Sequence, residues 1–118
     1  MNGQPLTGIR VLDFTWMLAG PYATRILADF GAEVIKVQSK KTAKGIESNL
    51  MTYFNTWNRN KRSITLDMSF PEAREILLKL IEKSDVLIEN FCPSSLAISL
   101  PRKFMQASFI PTNPIVEK

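Results

Sequence analysis

The chain has no histidine, one cysteine and no long uninterrupted apolar run. Without histidine it holds no Ser-His-Asp triad, no imidazole base and no histidine-containing zinc site. Any catalysis by these residues alone would rest on carboxylates, lysines, the one thiol or backbone dipoles. Cys92 has no partner for an internal disulfide, which fits a reducing compartment. No activating neighbour flanks it in sequence, so it reads as a small apolar residue rather than a nucleophile. The apolar stretches, such as 76–81 and 86–88, fall far short of the roughly 20 residues that a membrane-spanning helix needs. Nor does the N-terminus show the basic stretch and apolar core of a secretory signal. These absences lead us to expect a cytoplasmic protein with no membrane association.

What is present is one domain's worth of chain: 118 residues, 45% hydrophobic and 22% charged, with a net charge of +4. The charge is uneven. Between Lys36 and Arg62 stand seven basic residues (Lys36, Lys40, Lys41, Lys44, Arg59, Lys61, Arg62) and one acid, Glu47. Such a surplus points either to an anionic partner, a phosphate-bearing ligand or nucleic acid, or to a solvated loop. No nucleic-acid-binding motif accompanies it, and nucleic acid is not the partner we expect.

Hydrophobic patterning places the elements. Residues 9–14 form a short apolar-rich run that reads as a buried parallel strand. Gly20-Pro21 opens a helix, with proline in the first turn, where its missing N–H costs nothing. Ala23, Ile26, Leu27 and Phe30 follow at helical spacing and are the expected buried face. Gly31 falls where a left-handed cap belongs, and residues 34–37 give the next strand. The plan then repeats: a strand over 63–67, a helix from Pro71 with Glu72 and Glu75 near its positive end, and a strand over 85–89. Ala73, Ile76, Leu77, Leu80 and Ile81 form the second helix's apolar stripe. Two β-α-β units in succession predict an α/β fold with a parallel sheet and helices on its faces. Ligands bind such sheets beyond the C-terminal strand ends. Between the units lies a long polar connection, 38–62, in which Tyr53, Phe54 and Trp57 give 51–57 helical character and are expected to fix it to the sheet.

The residues at these junctions resemble the N-terminal part of the class III CoA-transferases, the family of formyl-CoA and carnitinyl-CoA transferases. The likeness runs through the opening from Pro5 to Thr15, the helix start Ala19-Gly20-Pro21, and the stretch from Leu27 to Val37. It continues through Asn58 to Asp67, the Pro71-Glu72 helix start, and Asp85 to Phe91. The resemblance implies a Rossmann-like sheet, incomplete relative to the family's large domain, over residues 1–91, with 92–118 a divergent, irregular tail. It also implies acyl-CoA and coenzyme A as substrates, with no covalently bound cofactor and no metal. Carried over residue by residue, Trp16, Met17, Leu18 and Ala19 would line the thioester and pantetheine end. Leu66, Asp67 and Met68 would flank the adenine, and Asn90 and Phe91 would hold the pantetheine arm.

Two positions depart from the family. Gln38-Ser39-Lys40-Lys41 replaces a glutamate followed by a phosphate-binding arginine, which leaves Lys40 as the phosphate candidate. Lysine neutralises a phosphate without arginine's planar fork. Leu18 stands where formyl-CoA transferases carry a glutamine. Read from the residues alone, Trp16, Met17 and Leu18 would instead pack under the first helix. Asn58, Asn60 and Asn90 would be turn residues, and Arg59, Lys61 and Arg62 solvated or structural. The family passes CoA through an aspartyl thioester, a covalent division of one hard transfer into two steps. Its nucleophile lies beyond the Glu89-Asn90-Phe91 segment, and none of Asp13, Asp29, Asp67 or Asp85 matches its motif. No catalytic residue is therefore expected in this chain, which reads as an inactive N-terminal fragment. The alternatives are an acyl-CoA racemase relative, or a non-catalytic partner that forms a homodimer or pairs with a longer homologous subunit.

Overall fold

A computed structural model describes residues 3–40, 43–48 and 50–90. The elements run β1 (Arg10–Asp13), α1 (Ala19–Asp29), β2 (Glu33–Gln38), a 3₁₀ turn (Gly45–Glu47), α2 (Thr52–Asn58), β3 (Arg62–Thr65), α3 (Pro71–Glu82) and β4 (Val86–Ile88). The four strands form one sheet in the order β3-β2-β1-β4, and all three pairings are parallel. This is the α/β fold that the repeated pattern predicts. The second β-α-β unit does not sit beside the first but straddles it, since β3 and β4 occupy opposite edges. Phe91, Cys92 and the expected tail 92–118 lie outside the described residues, as does Lys41.

Helices α1 and α3 cover opposite faces, and strand alternation sorts the side chains between them. Leu12, Val37, Leu66 and Leu87 pack with Ala73, Leu77 and Ile81 of α3. Val11 and Val34 pack with Ala28 of α1 and with Ala32. On α3 the predicted stripe holds for Ala73, Leu77 and Ile81, while Ile76 is exposed. On α1 it holds only for Leu27, which packs partly on the core. Ile26 and Phe30 are exposed, and the helix buries Pro21, Thr24 and Ala28 instead. The reason is polar: α1 lies over charged side chains of the sheet, so a threonine faces inward.

At the end of α1 the Ala32 amide bonds the Leu27 carbonyl and the Gly31 amide bonds that of Ala28. Gly31 has φ +99°, which makes this the glycine-terminated stop expected of that position. Of the aromatics of the long connection, Trp57 docks on α1, and Tyr53 stacks edge-on against Trp57. Tyr22 meets Trp57 edge-on at 5.5 Å, and the Arg25 guanidinium stands over both rings at 5.0 and 5.4 Å.

Candidate functional site

Asp13 ends β1 and is the register partner of Lys36 on β2. Both face α1, and both are buried. One Asp13 oxygen accepts the Thr15 amide at 2.8 Å and the Thr15 hydroxyl. The other accepts the Thr24 hydroxyl at 2.6 Å and Lys61 Nζ at 2.9 Å. Lys61 donates its remaining protons to the Pro21 carbonyl at 3.0 Å and to Asn58 Oδ1 at 2.8 Å. All three of its N–H bonds are thus used. Lys36 lies 3.9 Å from Asp13 and donates to the Thr15 carbonyl.

Burial by itself would raise Asp13, but the charges of Lys36 and Lys61, with the two threonine hydroxyls, hold its carboxyl below the ordinary 3.8. Burial pulls the Lys36 ammonium down from 10.5, against the opposing pull of Asp13 and Glu47. The same effect takes Lys61 to about 8. A buried carboxylate with two ammoniums would leave excess charge in a low-dielectric interior; the nearby Glu47 supplies the second acid.

Above this network the backbone of the β1–α1 loop is held by side chains from three places. Lys36 of β2 takes the Thr15 carbonyl. Asn90, just after β4, accepts the Trp16 amide and donates to the Trp16 carbonyl, each at 3.0 Å. Glu47 accepts the Met17 amide at 2.9 Å. Held this way, the loop turns its apolar side chains outward: Trp16, Met17 and Leu18 are 43%, 44% and 49% exposed. They do not pack away under α1. A small cleft beside them is lined by Phe14, Thr15, Trp16, Lys36, Val37, Gln38 and Glu47. It lies at the C-terminal ends of β1 and β2, the edge where parallel sheets take their ligands.

Because every strand is parallel, the other candidate residues reach the same edge. Ala19 opens α1 at the end of the loop, and Lys40 follows β2 and is exposed. After β3, the Leu66 amide bonds the Gln38 carbonyl at 2.8 Å, while the Leu66 side chain enters the core. Asp67 caps the next turn through the Ser69 amide and hydroxyl, and Met68 packs partly on the core. The direct link is between Asn90 and Trp16, across β4 and β1. Here the chain runs away on either side, β2 to one flank and β4 to the other, which makes the β1–β4 pair the topological switch point of the sheet.

The basic surplus of 36–62 is largely spent internally. Lys36 and Lys61 serve Asp13, Arg59 pairs with Asp29 at 2.9 Å, and Arg62 with Glu33 at 3.0 Å. Asn60 donates to Asp29 at 2.6 Å. Sequence reasoning missed the Asp13–Lys36–Lys61 network and the role of Glu47. The available signal was a charged residue inside each of two apolar strands, Asp13 closing Val11-Leu12-Asp13 and Lys36 within Val34-Ile35-Lys36-Val37. Among the described residues no cluster of acids or cysteine could hold a metal, and no helix is long and apolar enough to cross a membrane.

A model of CoA-transferase family III matches residues 6–100. The chain belongs to that family. A formyl-CoA:oxalate CoA-transferase of Bradyrhizobium diazoefficiens is 47% identical over 100 residues, which cover 79% of this chain and 24% of that protein. An acyl-CoA transferase of Fusarium pseudograminearum is 42% identical over 106 residues, covering 77% and 23%. Among solved structures, Rv3272 from Mycobacterium tuberculosis superposes with a TM-score of 0.77 at 41% identity, over 88% of this chain and 30% of that one. A CAIB/BAIF family protein from Brucella suis gives 0.76 at 35%, over 90% and 31%. The chain spans about a quarter of the length of the curated family III relatives it matches.

Proposed function

We propose that the chain forms the N-terminal, CoA-binding half-site of a family III CoA-transferase. The whole protein's reaction would be passage of CoA between an acyl-CoA and a carboxylic acid through an aspartyl thioester. The observation that carries this reading is the loop at the β1–β4 switch point. Its backbone is fixed by Lys36, Asn90 and Glu47 while Trp16, Met17 and Leu18 stay open to solvent. A thioester and its pantetheine arm need such a surface, apolar and flanked by backbone groups. Trp16, Met17, Leu18 and Ala19 would receive that end, and Asn90, with Phe91, would hold the loop and the arm. Lys40 would meet a phosphate, and the Leu66-Asp67-Met68 turn would stand beside the adenine. The loop side chains offer no amide to a small polar acyl group, so the proposed substrate class is acyl-CoA with a free acid, without a formyl or oxalyl preference.

The four aspartates are all otherwise occupied. Asp13 is buried between two lysines and Asp29 holds Arg59 and Asn60. Asp67 caps Ser69, and Asp85 accepts the Arg10 amide. None is placed to become an acyl carrier. The 118-residue chain is therefore expected to bind CoA saturably in a calorimetric titration and to catalyse no CoA transfer between an acyl-CoA and a free acid. Failure to bind CoA would overturn the assignment of the half-site; measurable transfer by pure chain would overturn the absence of a nucleophile.

A further inference from the structure

Glu47 is the one acid in the basic stretch between Lys36 and Arg62. It is nevertheless only 6% exposed. Its carboxylate accepts the Met17 amide at 2.9 Å, and its charge acts on the buried Lys36. Its own carbonyl accepts from Gln38 Nε2 at 3.3 Å, which ties it to the end of β2. Met17 has φ +65°, a left-handed conformation that it shares, among described non-glycine residues, with Asn60 alone. A residue with a side chain holds that conformation when its surroundings fix it. The acid thus reaches out of the long connection, across the cleft, to the most strained residue of the exposed loop.

We propose that Glu47 is the positioning residue of this site. By accepting the Met17 amide it locks the left-handed turn, and the turn sets where Trp16, Met17 and Leu18 stand for the thiol-bearing arm of CoA. The proposal rests on the CoA reading given above and adds a strut between two loops that a ligand would touch together. Glu47 contacts no reacting atom; it acts through Met17.

Three variants of the 118-residue chain test it, with CoA and adenosine 3′,5′-bisphosphate as titrants and amide exchange at Met17 as an independent measurement. Glu47→Ala should speed Met17 exchange and weaken CoA about tenfold, the factor carried by one hydrogen bond to a charged group. Binding of adenosine 3′,5′-bisphosphate, which lacks the arm, should not change. Glu47→Gln keeps an acceptor oxygen and should restore most of both effects. Glu47→Asp keeps the charge beside Lys36 but draws the oxygen back from Met17. It should behave like the alanine variant, and it decides the matter if that variant does not fold. Equal weakening of both ligands, or unaltered Met17 exchange, would overturn the proposal. If the parent chain binds neither ligand, the CoA reading fails and the proposal's ligand half with it. Met17 exchange would then still decide whether Glu47 holds the turn.

Discussion

At the scale of single residues, the decisive group is Asp13. It carries two buried ammoniums, two hydroxyls and a backbone amide, and nothing else among the described residues takes that load. Breaking a buried ion pair from one side leaves its partners charged and unpaired, at a cost of about 3–5 kcal/mol. Asp13→Asn should therefore lower unfolding free energy by about that amount in a urea titration. The depressed carboxyl also fixes a pH sign. Its contribution is complete above the ordinary 3.8 and is lost as pH falls through the lower folded value. Lys61 has the opposite character. With about 8 in the fold against 10.5 in the free chain, it gives up its proton first in the folded state. Between those values the unfolded chain binds more protons, so this group makes the fold more stable as pH rises from 8 towards 10.5. Urea midpoints measured across that range should show the rise, and Lys61→Met should reduce it, leaving the smaller part due to Lys36; an identical slope in the variant would refute the assignment.

At the scale of elements, α1 shows what a hydrophobic pattern can and cannot reveal. Its extent, its proline-containing first turn and its glycine stop are legible in the residues, because propensity and capping are local. Its buried face is not, because Thr24 points inward to satisfy Asp13 at the end of β1. A pattern that counts threonine as polar assigns it to solvent. The loop before α1 was legible as a site through its resemblance, while the side chains that hold it lie 21 to 74 residues away. Gly20 shows how closely that loop sits on the helix. A Cβ there would stand 2.4 Å from Thr15 Cβ and 2.6 Å from its Cγ2. Thr15 cannot step aside, since both its amide and its hydroxyl are held by Asp13. Gly20→Ala should cost about 1–3 kcal/mol, as overpacking does, and should weaken CoA in the same titration. A variant as stable as the parent would mean that the loop yields.

At the scale of the whole molecule, α/β class and parallel strands follow from the repeated pattern, whereas the order β3-β2-β1-β4 does not. Sheet order is a matter of long-range pairing, and it is this order that sets the switch point between β1 and β4. Charge follows the same logic. Counted along the chain, the middle segment looks like a landing site for any polyanion; in the fold Lys36, Arg59, Lys61 and Arg62 are engaged with Asp13, Asp29 and Glu33. Lys40 remains exposed at the ligand edge. Formal charge therefore overstates the electrostatic attraction, and the two classes of cation should separate by experiment. Lys40→Ala should weaken CoA about five- to tenfold, the loss expected for one charge-assisted contact. Because an exposed charge is screened by salt, the variant's affinity should also depend less on ionic strength than the parent's. Arg59→Ala removes the same formal charge from the same segment, but its guanidinium already serves Asp29, so CoA affinity should stay unchanged. If both substitutions weaken CoA equally, the ligand is responding to the segment's overall charge, and Lys40 has no special place at the site.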